Sequence, residues 1–517
     1  MSMDTLDTLE HDAERLPSNV TVSRVGVDAE GWRRAADSMQ QAGAVLLTLW
    51  GSDDRDRDGH FRIHAAYLAR QRLWVIEHAM PTGTPVYPSL AMVFPVADRL
   101  QRAIRDLLGI HADGGDARPW LRHGGWPESM FPLRRDVDPA QAHAVESSAY
   151  PFVRVSGDGV HEIPVGPVHA GTIEPGHFRF SLVGEKVLRL EQRLGYTHKG
   201  VAKRFESMRL HDGHRLAARV CGDSAVAFSW AYCCALESMS AAVVPPRAVI
   251  LRALALELER LANHLGDLGA LGNDAGLAFG LTQFSALKER LLRRHAEAFG
   301  QRYLFDLVIP GGVSMDPQAG ALDALSAELS GIERDVRELR TLYTEHAGLQ
   351  DRLLGTGSVG QAQARSLGAL GLAARACGLA HDLRADMPWP PYDRFTPTVA
   401  ACADGDVAAR VQVRFAETLE SLQLCGQWLG DMPAGEVRME LPDTRPGQQG
   451  IGLIEGWRGP VMVALESGVD GGIRRCHVHD PSWQNWLLLE WAVLDNIVAD
   501  FPLINKSFNL SYSGHDG

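Results

Sequence analysis

Four features that assign many proteins to a functional class are missing from this sequence. Basic residues are not in excess, since 51 Lys and Arg face 64 Asp and Glu and give a net charge of −13. Such a chain lacks the basic face that neutralises nucleic-acid phosphates, and an anionic membrane surface repels it. No apolar run approaches the roughly 20 residues of a membrane span. The best candidate, residues 367–380, is short and contains Arg375. We therefore expect no nucleic-acid partner, and contact with a membrane only through partner subunits.

Paired cysteines and a basic leader are also missing. The seven cysteines include no CxxC pair, which argues against a disulfide framework and against a conventional zinc site. The N-terminal residues carry acids where a signal peptide carries basic residues followed by an apolar run. These features predict a cytoplasmic protein.

What is present is a long chain with an ordinary globular composition. At 517 residues it exceeds what a single hydrophobic core usually supports, so we expect two domains or more. Residues 1–150 contain β-rich runs and, within 88–110, an amphipathic helix with Leu100 and Ile104 on its apolar face. They predict a small α+β module, and the stretch 139–148 is typical of a linker.

Residues 151–517 predict a second domain that is mainly helical. Strands joined by Gly and Pro turns come first, then apolar periodicities indicate long helices, and the tail returns to strands before a final helix. Beyond residue 300, helices are expected over 322–349, 359–381 and 406–429. The predicted fold class is α+β, with a small N-terminal α+β module followed by a mainly helical domain with peripheral β-hairpins.

The N-terminal module resembles the 30-kDa-type subunit of complex I. The similarity runs from Pro88 to Asp136 and rests on a strand, an amphipathic helix ending in DLLGI, and a loop ending in PLRRD. In that family the module is a brace for neighbouring subunits. On its helix, Arg102, Arg105 and Asp106 are either docking residues or, more simply, part of a solvated face.

From about residue 166 onwards the chain resembles the 49-kDa-type subunit of complex I and the large subunit of group 4 NiFe-hydrogenases. The resemblance rests on motifs in the same order, among them GPVHAGTIEPGHFRF, RVCGDSAVAFSWAYCCALE, ELERLANHLGDLG and NKSFNLSYSG. The two modules are fused in hydrogenase-4 and formate-hydrogenlyase large subunits. The resemblance implies an oxidoreductase subunit that holds no cofactor itself. Its implied partners are an iron–sulfur small subunit with a [4Fe-4S] cluster and ion-pumping membrane subunits, at the inner face of the cell membrane. NAD, where the complex uses it, binds to another chain.

The nickel-binding cysteines of the hydrogenases are dismantled in this sequence. A NiFe centre is held by four thiolates from two CxxC motifs. Here the first motif reads Cys221-Gly222-Asp223-Ser224 and the second is assigned to Ser482-Trp483-Gln484-Asn485. Ala202 stands where hydrogenases carry a proton-passing glutamate. We therefore expect no metal and no hydrogenase activity. An emptied cavity, against which the iron–sulfur partner docks, is predicted to be lined by Cys221, Gly222, Asp223, Ser224, Asp480 and Ser482.

Complex I uses the emptied cavity to reduce quinone, and it binds the headgroup with a hairpin histidine and a tyrosine of the first motif. His169 and His177 lie in the corresponding hairpin, but Gly222 stands where the tyrosine is expected. Asp274 matches an acidic position that partners the histidine, and such a pair makes the imidazole a usable proton donor. Arg458 either polarises a bound ligand or forms an ion pair with a nearby acid.

Two functions stay open at this point. One is an oxidoreductase subunit that passes electrons to a quinone-like acceptor and couples this step to ion translocation. The other is a structural or coupling subunit that turns over no substrate. Elsewhere, His264 is expected to be a core histidine with a hydrogen-bond partner, and His477 and His479 are expected to be a surface pair rather than metal ligands.

Overall fold

The structure, a computed structural model, describes residues 9–83, 85–138, 149–169, 171 and 173–517. The N-terminal part contains β1 (Glu14–Arg15), β2 (Val22–Val27), α1 (Ala29–Gln41), β3 (Val45–Asp54), β4 (His60–Ala69), β5 (Arg72–Pro81), β6 (Val86–Pro88), α2 (Ala97–Leu108) and β7 (His111–Asp113). Its main sheet has the strand order β1-β2-β5-β4-β3, in which β2 and β5 are parallel and the other neighbours antiparallel. The Asp28 side chain accepts a hydrogen bond from the Gly31 N–H and caps α1.

In the rest of the chain, small sheets surround a bundle of helices. Its strands are β8 (Val160–Val165), β9 (His177–Val183), β10 (Lys186–Arg193), β11 (Val308–Ile309), β12 (Gly312–Val313), β13 (Gln449–Glu455), β14 (Pro460–Ser467) and β15 (Ile473–His479). Its helices are α3 (Val201–Phe205), α4 (Gly213–Ala217), α5 (Ala225–Met239), α6 (Pro246–Asp274), α7 (Ala278–Phe299), α8 (Ala319–Glu345), α9 (Ala347–Leu353), α10 (Gln361–Ser366), α11 (Gly371–Ala376), α12 (Leu383–Asp386), α13 (Val407–Gly430), α14 (Ser482–Ala492), α15 (Phe501–Phe508) and α16 (Tyr512–Asp516). The predicted α+β class is confirmed.

Helix α5 lies at the centre of this core. It is apolar on nearly every side, as expected of a buried helix. It packs against β13, where a Cβ added to Gly452 would overlap the Ala231 carbonyl. Residues 221–224 come directly before α5, so they are attached to a helix that is buried in the core.

Two of the predicted helices are shorter than expected. The predicted helix over 359–381 is divided into α10 and α11, since Gly368 and Gly371 have φ values of 70° and 55°. This left-handed backbone favours glycine and ends a helix. The predicted helix over 322–349 ends at Glu345, where the His346 imidazole accepts a hydrogen bond from the Leu349 N–H and starts α9. Apolar periodicity alone does not register such turns.

The N-terminal part contacts the C-terminal part of the chain directly. The Gln484 amide donates hydrogen bonds to the carbonyls of Leu46 and Leu47 at 3.0 and 2.6 Å. Arg99 forms an ion pair with Glu490 at 2.6 Å. The domain boundary at residue 150 stays a prediction, and the predicted linker over 139–148 lies outside the described residues. Within the described ranges, no helix is long and apolar enough to cross a membrane.

Candidate functional site

Two short segments face each other at the candidate site. The first holds Cys221 and precedes α5, and the second holds Ser511 and precedes α16. The Cys221 Sγ lies 2.9 Å from the Ser511 Oγ. The Ser511 Oγ also accepts a hydrogen bond from the Gly514 N–H at 2.8 Å, which caps α16. Ser511-x-x-Gly514 thus has the same spacing as Cys221-x-x-Ser224.

This geometry corrects the position of the second degenerate motif. The Ser482 hydroxyl lies behind Ser511 and accepts its N–H at 3.0 Å. Asn485 exchanges hydrogen bonds with the Leu370 backbone instead. The Asp-Pro pair before Ser482 misled the sequence assignment. The four-residue spacing of Ser511 and Gly514, close to the C-terminus, was the signal that would have found the motif.

An ion pair occupies the centre of the site. The Arg458 guanidinium binds the Asp223 carboxylate through two hydrogen bonds of 2.6 Å each. The Arg458 Nη1 lies 3.5 Å from the Cys221 Sγ and 3.4 Å from the Ser224 Oγ. Burial opposes ionisation of Asp223, but the arginine charge and its hydrogen bonds outweigh burial and lower the pKa of this carboxyl. Of the two interpretations of Arg458, the structure realises the ion pair with a nearby acid.

Asp480 is a buried carboxylate next to the site. It is 1 % exposed, and its Oδ1 accepts the Ser482 N–H at 2.8 Å. Burial raises the pKa of Asp480, with Arg458 acting in the opposite direction. Gly222 is exposed at the edge, and a Cβ added there would meet only the Phe305 ring at 3.9 Å.

A histidine and a tyrosine meet beside the two motifs. The rings of His169 and Tyr512 have centroids 6.3 Å apart. The His169 Nδ1 lies 3.2 Å from the Pro167 carbonyl oxygen, while its Nε2 is buried without a hydrogen-bond partner among the described residues. The Tyr512 hydroxyl is also buried and makes no hydrogen bond of good geometry to a described residue, although the Asn505 side chain lies close enough to offset part of the effect of burial on its pKa. The tyrosine expected at Gly222 is therefore replaced by Tyr512, which lies within the second motif, Ser511-x-x-Gly514.

The loop that carries His169 is held against α16. The Gly176 N–H donates to the Pro167 carbonyl at 2.9 Å and closes the loop. The Ser513 N–H donates to the Glu174 carboxylate at 3.0 Å and ties the loop to the C-terminal motif. A Cβ added to Gly176 would meet the Tyr512 ring at 2.6 Å, so glycine is required for this contact.

The other predicted catalytic residues lie elsewhere. His177 begins β9, with its ring 5.1 Å from that of Phe152, and burial lowers its pKa. Asp274 ends α6 and is exposed; partial burial of its carboxyl raises its pKa. Among the described residues, no hydrogen bond or ion pair joins Asp274 to His169 or His177. The predicted carboxylate–histidine pair is therefore not formed. Asp274 is the last residue of the 29-residue helix α6.

Two models of respiratory-chain NADH dehydrogenase subunits match the chain, the 30-kDa subunit over residues 25–143 and the 49-kDa subunit over residues 274–451. Formate hydrogenlyase subunit 5 of Escherichia coli strain K12 is 30% identical over 92% of this chain and 85% of its own length. Hydrogenase-4 component G of the same strain is 31% identical, over 91% and 83%. The chain belongs to the family of fused complex I 30-kDa/49-kDa-type subunits.

A solved structure shares the fold of this complex I-type subunit. It belongs to the membrane-bound sulfane sulfur reductase, an archaeal respiratory membrane complex, with a TM-score of 0.65 and 24% identity over 71% of this chain and all of that chain. The resemblance deduced from the sequence motifs is confirmed. The subunit is of the type found in NADH-dehydrogenase-like and hydrogenase-related oxidoreductase complexes.

The donor set of this subunit does not fit the nickel–iron centre of the hydrogenases. One thiol and two hydroxyls stand at the four positions Cys221, Ser224, Ser511 and Gly514, where four thiolates are needed. Burial, and then the Asp223 charge, raises the pKa of the Cys221 thiol well above 9.0, so it stays protonated. Arg458 adds a fixed positive charge beside the sulfur. In the described part of the chain, no group of three or more His, Cys, Asp or Glu could hold a metal ion.

A buried set of charged residues, which we call the core charge network, lies behind the site. Its members are at most 3 % exposed: Glu257, Arg260, Arg375, Asp382, Arg384, Glu417 and Glu455. The three arginines can balance only three of the four carboxylates. Burial, followed by the Asp382 charge, raises the pKa of Glu455 to about 7. Arg260 donates hydrogen bonds to the Glu455 and Gly456 carbonyls at 2.8 and 3.0 Å, which anchors the segment that ends in Arg458.

Three expectations about single residues have now been tested. His264 is fully buried with its Nε2 2.8 Å from the Glu417 carboxylate, so the expected core histidine is confirmed. The expected surface pair is wrong, because His479 is fully buried and His477 stacks on Trp50. The solvated face expected on α2 is also wrong for Asp106. Its Oδ2 accepts three backbone N–H groups, those of residues 120, 121 and 122.

Proposed function

We propose that this chain is a subunit of a membrane-bound complex I-like respiratory complex and passes electrons to a quinone-like acceptor. The electrons come from a [4Fe-4S] cluster on an iron–sulfur partner subunit that docks at the exposed edge near Gly222. Ion-pumping membrane subunits use the free energy released. The observation that carries the proposal is a pair of buried polar atoms on neighbouring rings, His169 Nε2 and Tyr512 Oη, which make no hydrogen bond of good geometry to the described residues.

A quinone headgroup supplies what these two atoms lack. Buried polar groups are nearly always hydrogen-bonded, so two orphaned ones beside each other indicate a site for a polar ligand. Burial raises the pKa of Tyr512 and keeps its hydroxyl protonated, so it can donate a hydrogen bond to a quinone carbonyl. The neighbouring His169 can transfer a proton to the headgroup through its Nε2. Two electrons from the partner cluster and two protons convert the quinone to the hydroquinone.

The test uses the complete complex in native membranes. The chemically reduced complex is mixed with decylubiquinone, and reoxidation of the iron–sulfur cluster is followed by absorbance. We expect Tyr512→Phe and His169→Gln each to slow reoxidation by about tenfold or more, because the first removes a hydroxyl donor to the developing oxyanion and the second replaces the imidazole with an amide that cannot transfer a proton. Tyr196→Phe, which removes the hydroxyl of a partly exposed tyrosine, is the matched control and leaves the rate unchanged.

A second function is favoured by the Asp223–Arg458 ion pair. This pair fills the centre of the site with residues that bind each other, as expected of a structural or coupling subunit. Unchanged reoxidation in both Tyr512→Phe and His169→Gln would contradict quinone reduction here. Loss of ion pumping in Arg458→Met, in an assembled complex with normal electron transfer, would then support the coupling function.

A further inference from the structure

An apolar cavity lies between the N-terminal part of the chain and the C-terminal segment. Its volume is about 90 Å³. Its walls are mainly aliphatic on the side of α2 and β3, and they include Val201, Ala202 and Trp483 on the opposite side. A dry cavity of about 150 Å³ holds benzene, so this smaller one has room for a molecule of about four non-hydrogen atoms.

One polar side chain in this wall is fixed in orientation and lacks a partner. His515 is 1 % exposed, and among the described residues its Nε2 has no hydrogen-bond partner. Its ring stacks on Trp483 with centroids 4.0 Å apart and meets the edge of Trp120 at 5.7 Å. The imidazole therefore cannot turn away to find a partner elsewhere.

The neighbouring carboxylate sets the tautomer of His515. The Asp516 Oδ1 lies 2.8 Å from the His515 Nδ1. The same carboxylate accepts hydrogen bonds from the Gly195 N–H, the Thr197 N–H and the Thr197 hydroxyl, at 2.8, 2.9 and 2.6 Å. These donors hold Asp516 as an anion, so the Nδ1 carries the hydrogen and the Nε2 presents a lone pair. Burial lowers the pKa of His515, which keeps the imidazole neutral.

We infer that this cavity is a second ligand site, separate from the His169–Tyr512 pair, for a small apolar molecule that carries one hydroxyl group. The hydroxyl donates to the His515 Nε2, and the hydrocarbon part fills the space between α2 and Trp483. The other polar side chains in the wall are already engaged: His477 with Thr48 at 3.0 Å, His198 with the Asp516 carbonyl at 2.8 Å, and Arg475 with the Gly51 carbonyl at 3.3 Å. The ligand contacts both parts of the chain and so stabilises their interface.

The test is a calorimetric titration of the full-length chain with 2-propanol, and with 2-chloropropane as a ligand of similar shape that has no donor. We expect 2-propanol to bind about tenfold more tightly than 2-chloropropane, since one hydrogen bond separates them. His515→Phe keeps an aromatic ring but removes the acceptor, so the preference for 2-propanol disappears while 2-chloropropane still binds. His295→Phe is the matched control, because His295 is also 1 % exposed with a partnerless Nε2 but lines a different cleft.

A second variant, which reduces the cavity volume, serves in case His515→Phe does not fold. Ala202→Leu narrows the cavity while leaving His515 in place, and it should weaken binding of both ligands by about tenfold or more. Equal affinity of the unaltered chain for 2-propanol and 2-chloropropane would overturn the proposal. So would retention of the 2-propanol preference in His515→Phe, or binding of neither ligand to the unaltered chain.

Discussion

The core charge network and the candidate site are built from similar groups but differ in how those groups are satisfied. In the network, the two Glu257 oxygens accept from Arg384, Tyr392, Arg260 and Ser421 at 2.6 to 3.0 Å. In the site, the His169 Nε2 and the Tyr512 hydroxyl make no hydrogen bond of good geometry to a described residue. The network also contains an unpartnered atom, the Arg375 Nη2, but it belongs to a guanidinium whose other nitrogens are bonded. Two unpartnered groups on neighbouring rings are the feature that favours a ligand in the site.

A short segment connects the two regions. Glu455 belongs to the network, and Arg458, three residues later, belongs to the site. The His264 ring meets the Trp457 ring edge-on with centroids 6.0 Å apart, and the Arg458 guanidinium lies 3.9 Å from the same Trp457 ring. Trp457 therefore contacts both His264, which binds Glu417 of the network, and Arg458 of the ion pair in the site.

The largest expected effect is on stability, from Glu257→Gln in the core charge network. The change leaves Arg260 and Arg384 buried without a full countercharge, so we expect a loss of about 3–5 kcal/mol in the free energy of unfolding. Denaturant unfolding of the full chain measures it. Glu333→Gln, which breaks an exposed pair with Arg337 at 2.6 Å, is the control and should cost less than about 0.5 kcal/mol. Similar losses in both would mean that the network does not hold the fold together.

A smaller loss is expected from Asp223→Asn in the site. The Asp223 side chain is 38 % exposed, so water replaces part of the lost interaction, and the cost should be about 1–2 kcal/mol. Removing this carboxylate also lowers the pKa of Cys221, because Asp223 raises it and Arg458 lowers it. Alkylation of Cys221 should therefore extend to lower pH, measured by mass spectrometry with the half-buried Cys402 as internal reference. An unshifted pH profile would show that the ion pair does not control the thiol.

The third effect is a pH dependence of stability that arises from Glu455. The unfolded carboxyl loses its proton near 4.5, whereas the folded one keeps it up to about 7. Between these values the folded state binds more protons, so the contribution of Glu455 is fully present below pH 4.5 and is lost as the pH rises to 7. Buried histidines with lowered pKa act in the opposite direction, so the wild type is compared with Glu455→Gln. The difference in unfolding free energy between them should change from pH 5 to pH 7 and stay constant above; a constant difference throughout would contradict the raised pKa.

The smallest effect is expected at the edge of the site, from Gly222→Ala. Only the Phe305 ring approaches an added Cβ, at 3.9 Å, so stability should change by less than about 0.5 kcal/mol. Gly452→Ala provides the contrast, because an added Cβ there overlaps a backbone carbonyl of α5 and should cost about 1–3 kcal/mol. Thermal unfolding compares the two. A large loss for Gly222→Ala would mean that the edge is as tightly packed as the core.

The sequence predicted those parts of the site that depend on local pattern. The motif around Cys221 came from neighbouring residues, whereas for Arg458 the sequence left polarisation of a ligand and an ion pair both open. The partner of Cys221 did not, because Ser511 is 290 residues away and its motif has lost every thiol. Tyr512 was missed for the same reason, since the expected phenol was sought beside the first motif only.

The sequence alone determined the α+β class, the two-module family and the loss of the nickel ligands, because motif order, residue type and periodicity are local properties of the chain. Only the tertiary structure decided which groups meet. Packing of α16 against the loop before β9 brings Tyr512 to His169, and packing of α2 against the C-terminal segment encloses His515. Both contacts join residues far apart in the chain, and the free energy that selects them comes from burial of the whole core.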